Sequence, residues 1–319
     1  MDIYIGIDTG SVSTNVIAVD ENINVIFSTY IRTKGQPINS VKEGMANLKK
    51  ELGSEYNVKA IGVTGSGRQM IGLMVGADVV KNEITAHAAA TTHFHPDVQT
   101  IFEIGGQDSK IIIVKNGIVT DFSMNTVCAA GTGSFLDHQS ERLGVDISEF
   151  GDLALTAEND VRIAGRCTVF AESDMIAKQQ YGYSKADIIK GLCDALVRNY
   201  LNNLGRGKTL NAPYVFQGGV AANKGIIKAF EDQVGHKIII PKYFNVMGAI
   251  GMAIMAKSHV DQTGGKSNFK GFDFINLEFT PKSFECSGCA NACEVIKVIN
   301  NGQTIAMWGD KCGKWSSSI

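Results

Sequence analysis

Two cysteines in the body of the chain stand where metal–sulfur chemistry is physically favoured. Cys128 comes just before a turn of small residues, 129–133, that opens a predicted helix ending near Leu143. Cys167 likewise comes just before a predicted helical stretch. The N-terminus of a helix offers unpaired N–H groups and partial positive charge, which stabilise a thiolate and an anionic group bound to it. The pattern predicts one anionic ligand shared by both cysteines; the alternative is two buried thiols acting as small hydrophobic residues.

Two short turns are candidates for phosphate binding. One follows a strand at 3–8 and includes Asp8, and the other follows a strand at 99–104 and includes Asp108. Each turn joins two strands and offers backbone N–H groups and small hydroxyls to a phosphate, while its aspartate suits Mg²⁺ held through water. Neither turn is a P-loop, because the GxxxxGK[ST] pattern is missing. The alternative is a pair of ordinary hairpins with Gly/Asp turns.

Two further turns end predicted strands. Gly218-Gly219 precedes a predicted helix and would let the backbone approach a flat base or ribose closely. The turn at 64–68 ends the strand at 58–63, and we expect Arg68 to stabilise it.

The remaining elements place these turns in two similar units, each built as strand, Gly/Asp/Ser-rich turn, strand. The first unit is at 3–19 and the second at 101–114. Alternating apolar residues predict strands at 3–8, 13–20, 25–32, 58–63, 99–104, 111–114 and 237–240, with helices at about 38–52 and 81–93 and a small-residue helix near 247–257.

The sequence also predicts structural roles for three other residues. Asn125 or Thr126 is expected to cap the helix that follows Cys128. Cys193 lies in a helical stretch at 188–200 and is expected to be a core residue.

Composition excludes several classes of partner. The chain has 319 residues, enough for two domains, and a formal net charge of −2, so neither nucleic acid nor an anionic membrane is the expected partner. No apolar run approaches the ~18 residues of a membrane span. The N-terminus lacks the basic and apolar regions of a signal peptide, so we expect a cytoplasmic protein. In a reducing compartment, seven cysteines favour ligands or reactive thiols over disulfides.

Four of the seven cysteines lie near the end of the chain. They follow a glycine- and lysine-rich stretch, 264–273, interpreted as a linker, and they flank a predicted hairpin of strands at 294–298 and 304–308. Their spacing predicts a zinc or iron–sulfur site, with reduced, unliganded thiols as the alternative. The four cysteines are Cys286, Cys289, Cys293 and Cys312.

The chain resembles the activators of 2-hydroxyacyl-CoA dehydratases, a family that also includes ATPase subunits of benzoyl-CoA reductases. This family lies within the actin, sugar-kinase and Hsp70 ATPase superfamily. The resemblance covers about residues 3–257. The cysteine-rich end resembles the segment that follows the first ATPase unit in long, fused relatives of the activators. By that resemblance the chain would be a fragment or a truncated form of such a fused protein. Four segments, in the same order as in the family, carry the resemblance: 104–110, 125–133 with Cys128, 167–173 with Cys167, and 216–221.

The resemblance implies an α/β fold with mixed sheets, in which two ribonuclease-H-like (actin-like ATPase) domains close over ATP. The first domain would be 1–95, with the helix near 247–257 returning to it, and the second 96–246; residues 264–319 would form a linker and a small Cys-rich hairpin module. The protein would be a homodimer that holds one [4Fe–4S] cluster with two cysteines from each subunit. Its activity would be ATP-driven transfer of single electrons to a partner enzyme.

The resemblance also assigns residues. Cys128 and Cys167 match the two cluster-ligand positions, Asp8 and Asp108 would hold Mg²⁺, and Gln107 would orient the attacking water. A cubane needs four thiolates, which two cysteines supply when a two-fold axis doubles them. The residues expected around ATP or ADP are Thr9, Gly10, Ser11, Ser13, Thr14, Gly105, Gly106, Gly218, Gly219, Val220 and Asn223.

The expected partners are an iron–sulfur acceptor such as a 2-hydroxyacyl-CoA dehydratase and an upstream reductant such as ferredoxin or flavodoxin. One alternative is the same ATPase reducing a different iron–sulfur protein. A second is a small-molecule kinase of the superfamily, which would leave the two cysteines without a purpose, and a third is an ATP-dependent sensor without enzymatic activity. The sequence leaves the acceptor's identity open.

Overall fold

The chain divides into two compact units. The computed structural model describes residues 1–53 and 55–316. One unit comprises 1–86 together with the chain from 248 onward, and the other comprises 87–247. No helix in the described ranges is both long enough and apolar enough to cross a membrane.

The first unit is built on a five-stranded sheet with the order β3-β2-β1-β4-β5. The strands β1 to β3 are antiparallel neighbours, and β1, β4 and β5 are parallel. The strand β1 is buried along nearly its whole length, as expected for a central strand covered on both faces. Its elements, in chain order, are β1 (Asp2–Thr9), β2 (Ser13–Val19), β3 (Val25–Arg32), α1 (Pro37–Leu52), β4 (Asn57–Thr64), α2 (Arg68–Val75), β5 (Val79–Val80) and α3 (Glu83–Phe94).

The division between the units falls inside α3, at residues 86 and 87, and not at the predicted 95/96. The backbone of Ala86 lies against Gly251, which belongs to the first unit. The side chain of His87 instead pairs with Gln217, in the second unit, at 2.9 Å between Nδ1 and Nε2. The division between the two units therefore lies within one continuous helix.

The second unit repeats the strand order of the first. Its sheet has the order β10-β9-β6-β7-β8, in which β6 to β8 are antiparallel and β6, β9 and β10 are parallel. The α/β class with mixed sheets is therefore confirmed. The elements are β6 (Thr100–Ile104), β7 (Ser109–Lys115), β8 (Ile118–Asn125), α4 (Gly133–Leu143), α5 (Ile147–Ala154), α6 (Thr168–Gln180), α7 (Lys185–Leu204), β9 (Tyr214–Gln217), α8 (Lys224–Val234) and β10 (Ile238–Ile239).

The longest helix of the second unit, α7, is fixed at its start and buried along its length. Ser184 and Asp187 form a reciprocal capping box, which satisfies N–H groups at the helix N-terminus. Hydrogen bonds led by the backbone N–H of Asn159 hold the pKa of the Asp187 carboxyl well below its usual value. Cys193 is buried within α7, and this burial raises the pKa of its thiol, so the prediction that it is a core residue is confirmed.

The C-terminal segment belongs to the first unit and is not attached by a free linker. It continues through α9 (Met247–Thr263) into the predicted linker, which packs against the first unit with Phe274 only 2% exposed. Asp78 accepts hydrogen bonds from Ser267 Oγ and Asn268 N, both at 2.6 Å. This stretch packs against the first unit because it contains phenylalanines. An interpretation based on its glycine and lysine content overlooks them. An antiparallel sheet follows, made of β11 (Thr280–Glu285), β12 (Glu294–Asn300) and β13 (Gln303–Trp308).

We expect Ser267→Ala to lower the free energy of unfolding by about 1–2 kcal/mol, because it removes a hydrogen bond to a charged carboxylate. The measurement is urea unfolding of the wild-type and variant proteins. Ser287→Ala is the matched control, since Ser287 is exposed in the turn after β11. Equal stability of Ser267→Ala and wild type would contradict a structural role for the contact with Asp78.

Candidate functional site

The first predicted phosphate turn joins β1 to β2 and is held by a buried threonine. Gly10 N donates to Ser13 O at 2.9 Å, which closes the turn. Thr33 Oγ1 donates to Gly10 O at 2.9 Å and lies 3.0 Å from Thr14 Oγ1. Thr33 was not among the predicted site residues, although its place at the end of β3, opposite the turn, explains its role.

The turn at 64–68 packs directly on Thr9. Gly67 N donates to Thr9 O at 3.1 Å. Gly65 has φ of +94°, and a Cβ at this position would lie 2.3 Å from the Thr9 carbonyl oxygen, so only glycine fits. Arg68 Nη1 donates to Gly65 O at 3.0 Å, which confirms the predicted turn-stabilising role of Arg68.

Oxygen-bearing side chains line up across three strands at this edge of the first sheet. Asp8 is in register with Asn15 on β2 and with Thr64 on β4, so the three side chains share one face. Within the described residues, Asn15 Oδ1, Thr64 Oγ1 and Thr9 Oγ1 are buried without a hydrogen-bond partner. Buried polar atoms are normally satisfied, so these atoms fit a polar ligand. Oxygen donors are the ligands that Mg²⁺ prefers.

The second predicted phosphate turn is anchored by a buried ion pair. Gly105 N donates to Asp108 O at 3.0 Å. Lys110 Nζ lies 2.9 Å from both Asp108 Oδ1 and Glu103 Oε2, and the Lys110 and Glu103 side chains are only 2% and 5% exposed. The lysine therefore fixes the Asp108 carboxylate, while Gln107 is exposed at the tip of the turn. Glu103 was not among the predicted site residues, although its charge inside the apolar strand β6 could have identified it.

Tyr200 of α7 holds the base of the same turn. Its hydroxyl donates to Lys110 O and accepts from Glu103 N at 3.2 Å. Burial raises the pKa of this hydroxyl well above its usual value, so it remains a protonated donor at neutral pH.

The third predicted turn requires glycine at its first position. Gly218 has φ of +90°, and a Cβ there would lie 2.3 Å from the Ile104 carbonyl oxygen. Gly218 N donates to Phe244 O at 2.8 Å. A 3₁₀ turn, Gly219–Ala222, separates this glycine from α8, which begins at Lys224, directly after Asn223 as predicted. It contains the predicted nucleotide residue Val220, which is buried.

The predicted nucleotide residue Asn223 is the N-cap of α8. Its Oδ1 accepts from Ile226 N at 3.0 Å. Its Nδ2 is buried and has no hydrogen-bond partner within residues 1–53 and 55–316. One half of this amide is therefore structural, and the other half fits a ligand acceptor.

Cys128 is exposed, and its backbone is held by the side chain of Asn125, which was expected to cap a helix. It precedes a 3₁₀ turn, Ala129–Gly131, and not the α-helix itself. Asn125 Oδ1 accepts from Cys128 N at 3.0 Å and Asn125 Nδ2 donates to Cys128 O at 2.7 Å. The predicted capping by Asn125 or Thr126 is therefore wrong, because Asn125 bonds to the backbone of Cys128 before the turn begins.

Cys167 is the N-cap residue of α6 and is partly exposed. Large apolar side chains beside both cysteines face solvent in this chain: Val127 is 94%, Val169 64% and Phe170 66% exposed. The alternative in which both thiols are buried hydrophobic residues is therefore wrong. Where exposed apolar side chains form a contiguous patch, the patch commonly marks a surface for a partner.

The start of α4 is bonded to the second phosphate turn. Gly133 N donates to Gly105 O at 2.9 Å, and Ser134 N donates to Gly106 O at 2.8 Å. Ser134 Oγ also donates to Gly106 O, at 2.6 Å. The prediction that the helix opening at 129–133 offers unpaired N–H groups to an anion is wrong for Gly133, whose N–H already has a carbonyl partner.

The four C-terminal cysteines do not form a metal-binding group in the described part of the chain, where no set of three or more His, Cys, Asp or Glu residues is arranged to hold a metal ion. Cys286 Sγ accepts from Trp315 Nε1 at 3.3 Å and from Gly288 N at 3.4 Å, and these donors lower the pKa of its thiol. Cys289 and Cys312 are exposed. The residues as placed do not fit the predicted zinc or iron–sulfur site, and positions 317–319 of the predicted module lie outside the described residues.

Comparison with known proteins identifies the family. The profile of the BadF/BadG/BcrA/BcrD ATPase family matches residues 5–256. The chain belongs to the BadF/BadG/BcrA/BcrD ATPase family. The predicted resemblance to dehydratase activators and benzoyl-CoA reductase ATPases is thereby confirmed. Residues 257–319, including the three-stranded sheet, lie outside the matched range.

Individual members of the BadF/BadG/BcrA/BcrD family are similar over most of the chain. The (R)-2-hydroxyglutaryl-CoA dehydratase activating ATPase of Acidaminococcus fermentans is 35% identical over 266 residues, which cover 80% of this chain and 98% of that protein. The 2-hydroxyisocaproyl-CoA dehydratase activator of Clostridioides difficile is 32% identical over 79% of this chain and 93% of its own. A solved structure of the activator of that dehydratase, from Clostridium difficile with bound ADPNP, has a TM-score of 0.74 at 30% identity and covers 82% of this chain and 97% of its own.

Proposed function

We propose that this chain is an ATP-dependent one-electron donor that activates an iron–sulfur enzyme, most simply a 2-hydroxyacyl-CoA dehydratase. The observation that carries the proposal is the pair of accessible cysteines, Cys128 and Cys167, in the unit that also holds the turn at 105–108. The names of the similar proteins, a dehydratase activator and an activating ATPase, support the role of activator.

Cys128 and Cys167 would form half of a cluster site. A [4Fe–4S] cluster takes four thiolates as a rule, and a second copy of the chain related by a two-fold axis would supply the other two. The exposed Val127, Val169 and Phe170 would be covered in such a homodimer. When bound, the cluster would take up and release one electron at low potential. The protein's part is to hold the thiolates, and Asn125 does so by fixing the backbone of Cys128.

The phosphate turns are the candidate contacts for ATP. In the first unit, Asp8 with Asn15 and Thr64 would hold Mg²⁺ through water, and Thr9, Gly10, Ser11, Ser13 and Thr14 would contact phosphates. In the second, Gly105, Gly106 and Asp108 would do the same, with the exposed Gln107 orienting the attacking water. Gly218, Gly219, Val220 and Asn223 would contact the nucleoside. Each unit would then be a ribonuclease-H-like ATPase domain, which the shared strand order supports.

Iron content tests the proposal. After anaerobic purification we expect about two irons per chain, brown colour, and reduction of an iron–sulfur acceptor that requires ATP hydrolysis. Ferredoxin or flavodoxin would supply the electrons. A colourless protein that transfers phosphate from ATP to a small molecule would contradict the proposal and favour a kinase.

Asn125→Ala is expected to speed the loss of iron to a chelator several-fold, because it removes the hydrogen bonds that fix Cys128. Loss of these partly exposed bonds costs about 1 kcal/mol each at most, so the fold should persist. Thr126→Ala is the matched control, since Thr126 is the exposed neighbour. Iron release that is as slow in Asn125→Ala as in Thr126→Ala would contradict this role for Asn125.

A further inference from the structure

The helix that begins at Cys167 is held to its unit by few apolar contacts. Only Ala171 and Met175 of the 13 residues of α6 are buried. An amphipathic helix on a core ordinarily buries three to four side chains in two turns. Within one subunit, the position of α6, and with it the position of Cys167, therefore depends strongly on polar contacts.

One carboxylate on α6 joins it to α4. Glu172 Oε1 lies 3.0 Å from His138 Nδ1, and Glu172 Oε2 lies 3.2 Å from Arg142 Nη2. Gln139 Nε2 also donates to Glu172 Oε1, at 3.4 Å. The Glu172 side chain is 19% exposed, so water screens these contacts only in part. Both oxygens are occupied by donors from one face of α4, which fixes the carboxylate in two directions.

A second carboxylate ties α6 to the chain just before Cys167. Asp174 Oδ2 accepts from Ala164 N at 2.8 Å. This bond holds the helix to its own preceding segment and does not reach α4. In the described part of the chain, the hydrogen bonds and ion pairs between α4 and α6 all converge on Glu172.

The other end of α4 is bonded to the phosphate turn through Gly133 and Ser134. The 3₁₀ turn after Cys128 leads into the same helix start, where Thr132 Oγ1 donates to Ala129 O at 2.8 Å. Hydrogen bonds therefore run without a break from the turn at 105–106, along α4, to Glu172 and α6. A displacement of that turn would move both cysteine-bearing segments together.

We propose that Glu172 is a positioning residue that joins α4 and α6 into one element, so that the state of the nucleotide at the turn 105–108 reaches Cys128 and Cys167 together. This inference rests on the proposed function. Coupling between two sites is carried by contiguous packed or hydrogen-bonded elements, and a residue within them changes the coupling without touching either ligand. Glu172 should therefore affect communication between the sites more than it affects either site alone.

Glu172→Gln and Arg142→Gln test the inference in the purified holoprotein. We expect both variants to keep the wild-type iron content and to hydrolyse ATP within about twofold of the wild-type rate, while the difference in cluster potential between the ADP-bound and ADPNP-bound forms is largely lost. In the double variant the loss should be no greater than in Glu172→Gln alone, because that change already breaks the ion pair with Arg142. Glu141→Gln is the matched control, since Glu141 is an exposed carboxylate on α4, the helix that carries Arg142.

The outcomes separate the inference from the proposed function. A nucleotide-dependent potential difference in Glu172→Gln equal to that of wild type overturns the inference and leaves the proposed function standing. Wild-type protein without iron overturns both. As a second readout, the rate at which iodoacetamide alkylates Cys167 in cluster-free protein should differ between ADP and ADPNP in wild type and in Glu141→Gln, and should not differ in Glu172→Gln. A retained difference in Glu172→Gln counts against the inference.

Discussion

Cys128→Ala should abolish cluster binding, with iron falling from about two per chain to a trace, because a cubane is held by cysteine thiolates as a rule and the dimer would lose two of its four. Visible absorption and ATP-dependent reduction of an acceptor should be lost with it. Cys128 is exposed, so its removal leaves no cavity and the fold should be kept. Circular dichroism and the rate of ATP hydrolysis check that the fold and the nucleotide site survive.

Two further variants complete this experiment. Cys167→Ala should have the same effect as Cys128→Ala, since under the proposed function each cysteine would supply one ligand per chain. Cys289→Ala is the matched control, an exposed thiol in the C-terminal segment. Iron that stays at the wild-type level in Cys128→Ala would rule out the shared cluster, and iron that falls in Cys289→Ala would place part of it in the C-terminal segment.

Lys110→Met should lower the free energy of unfolding by about 3–5 kcal/mol, since it leaves the buried Glu103 carboxylate without its cation. It should also weaken ATP binding, because Asp108 loses the ion pair that positions it. Urea unfolding and the KM for ATP measure the two effects separately.

The double variant Lys110→Met/Glu103→Gln shows why Lys110→Met is less stable. The cause is either the unpaired charge left on Glu103 or the loss of the ion pair itself. Removing both charges should recover much of the stability, because no uncompensated charge then remains buried. The weakened ATP binding should persist, since Asp108 still lacks its lysine. Lys115→Met, at the exposed end of β7, is the control and should change neither quantity. If Lys110→Met were as stable as Lys115→Met, the ion pair would have no structural importance.

Turn chemistry made much of the fold predictable. Glycine, aspartate and small hydroxyls at the ends of apolar strands locate the turns after Asp8, Ile104 and Gln217, and strand alternation locates β1 to β4 and β6. The antiparallel β11 was missed, because its sequence, with Pro281 and few apolar residues, lacks the alternation that marks a half-buried strand.

Contacts between distant parts of the chain were the least predictable. The phenylalanines at 269–274 were missed because a linker was inferred from glycine and lysine, and only their burial against the first unit shows that they pack. The cross-strand set of Asp8, Asn15 and Thr64 depends on the register of three strands. The link between Gly133 and Gly105 likewise joins residues that only the fold brings together.

The docking of the C-terminal segment sets an order of events during synthesis. The first unit begins at residue 1 but needs Phe274 to complete its core, so that core can be completed only after residue 274 has left the ribosome. The second unit, residues 87–247, is continuous in sequence and can fold as soon as it emerges. During that interval the unfinished β-sheet of the first unit is exposed to aggregation.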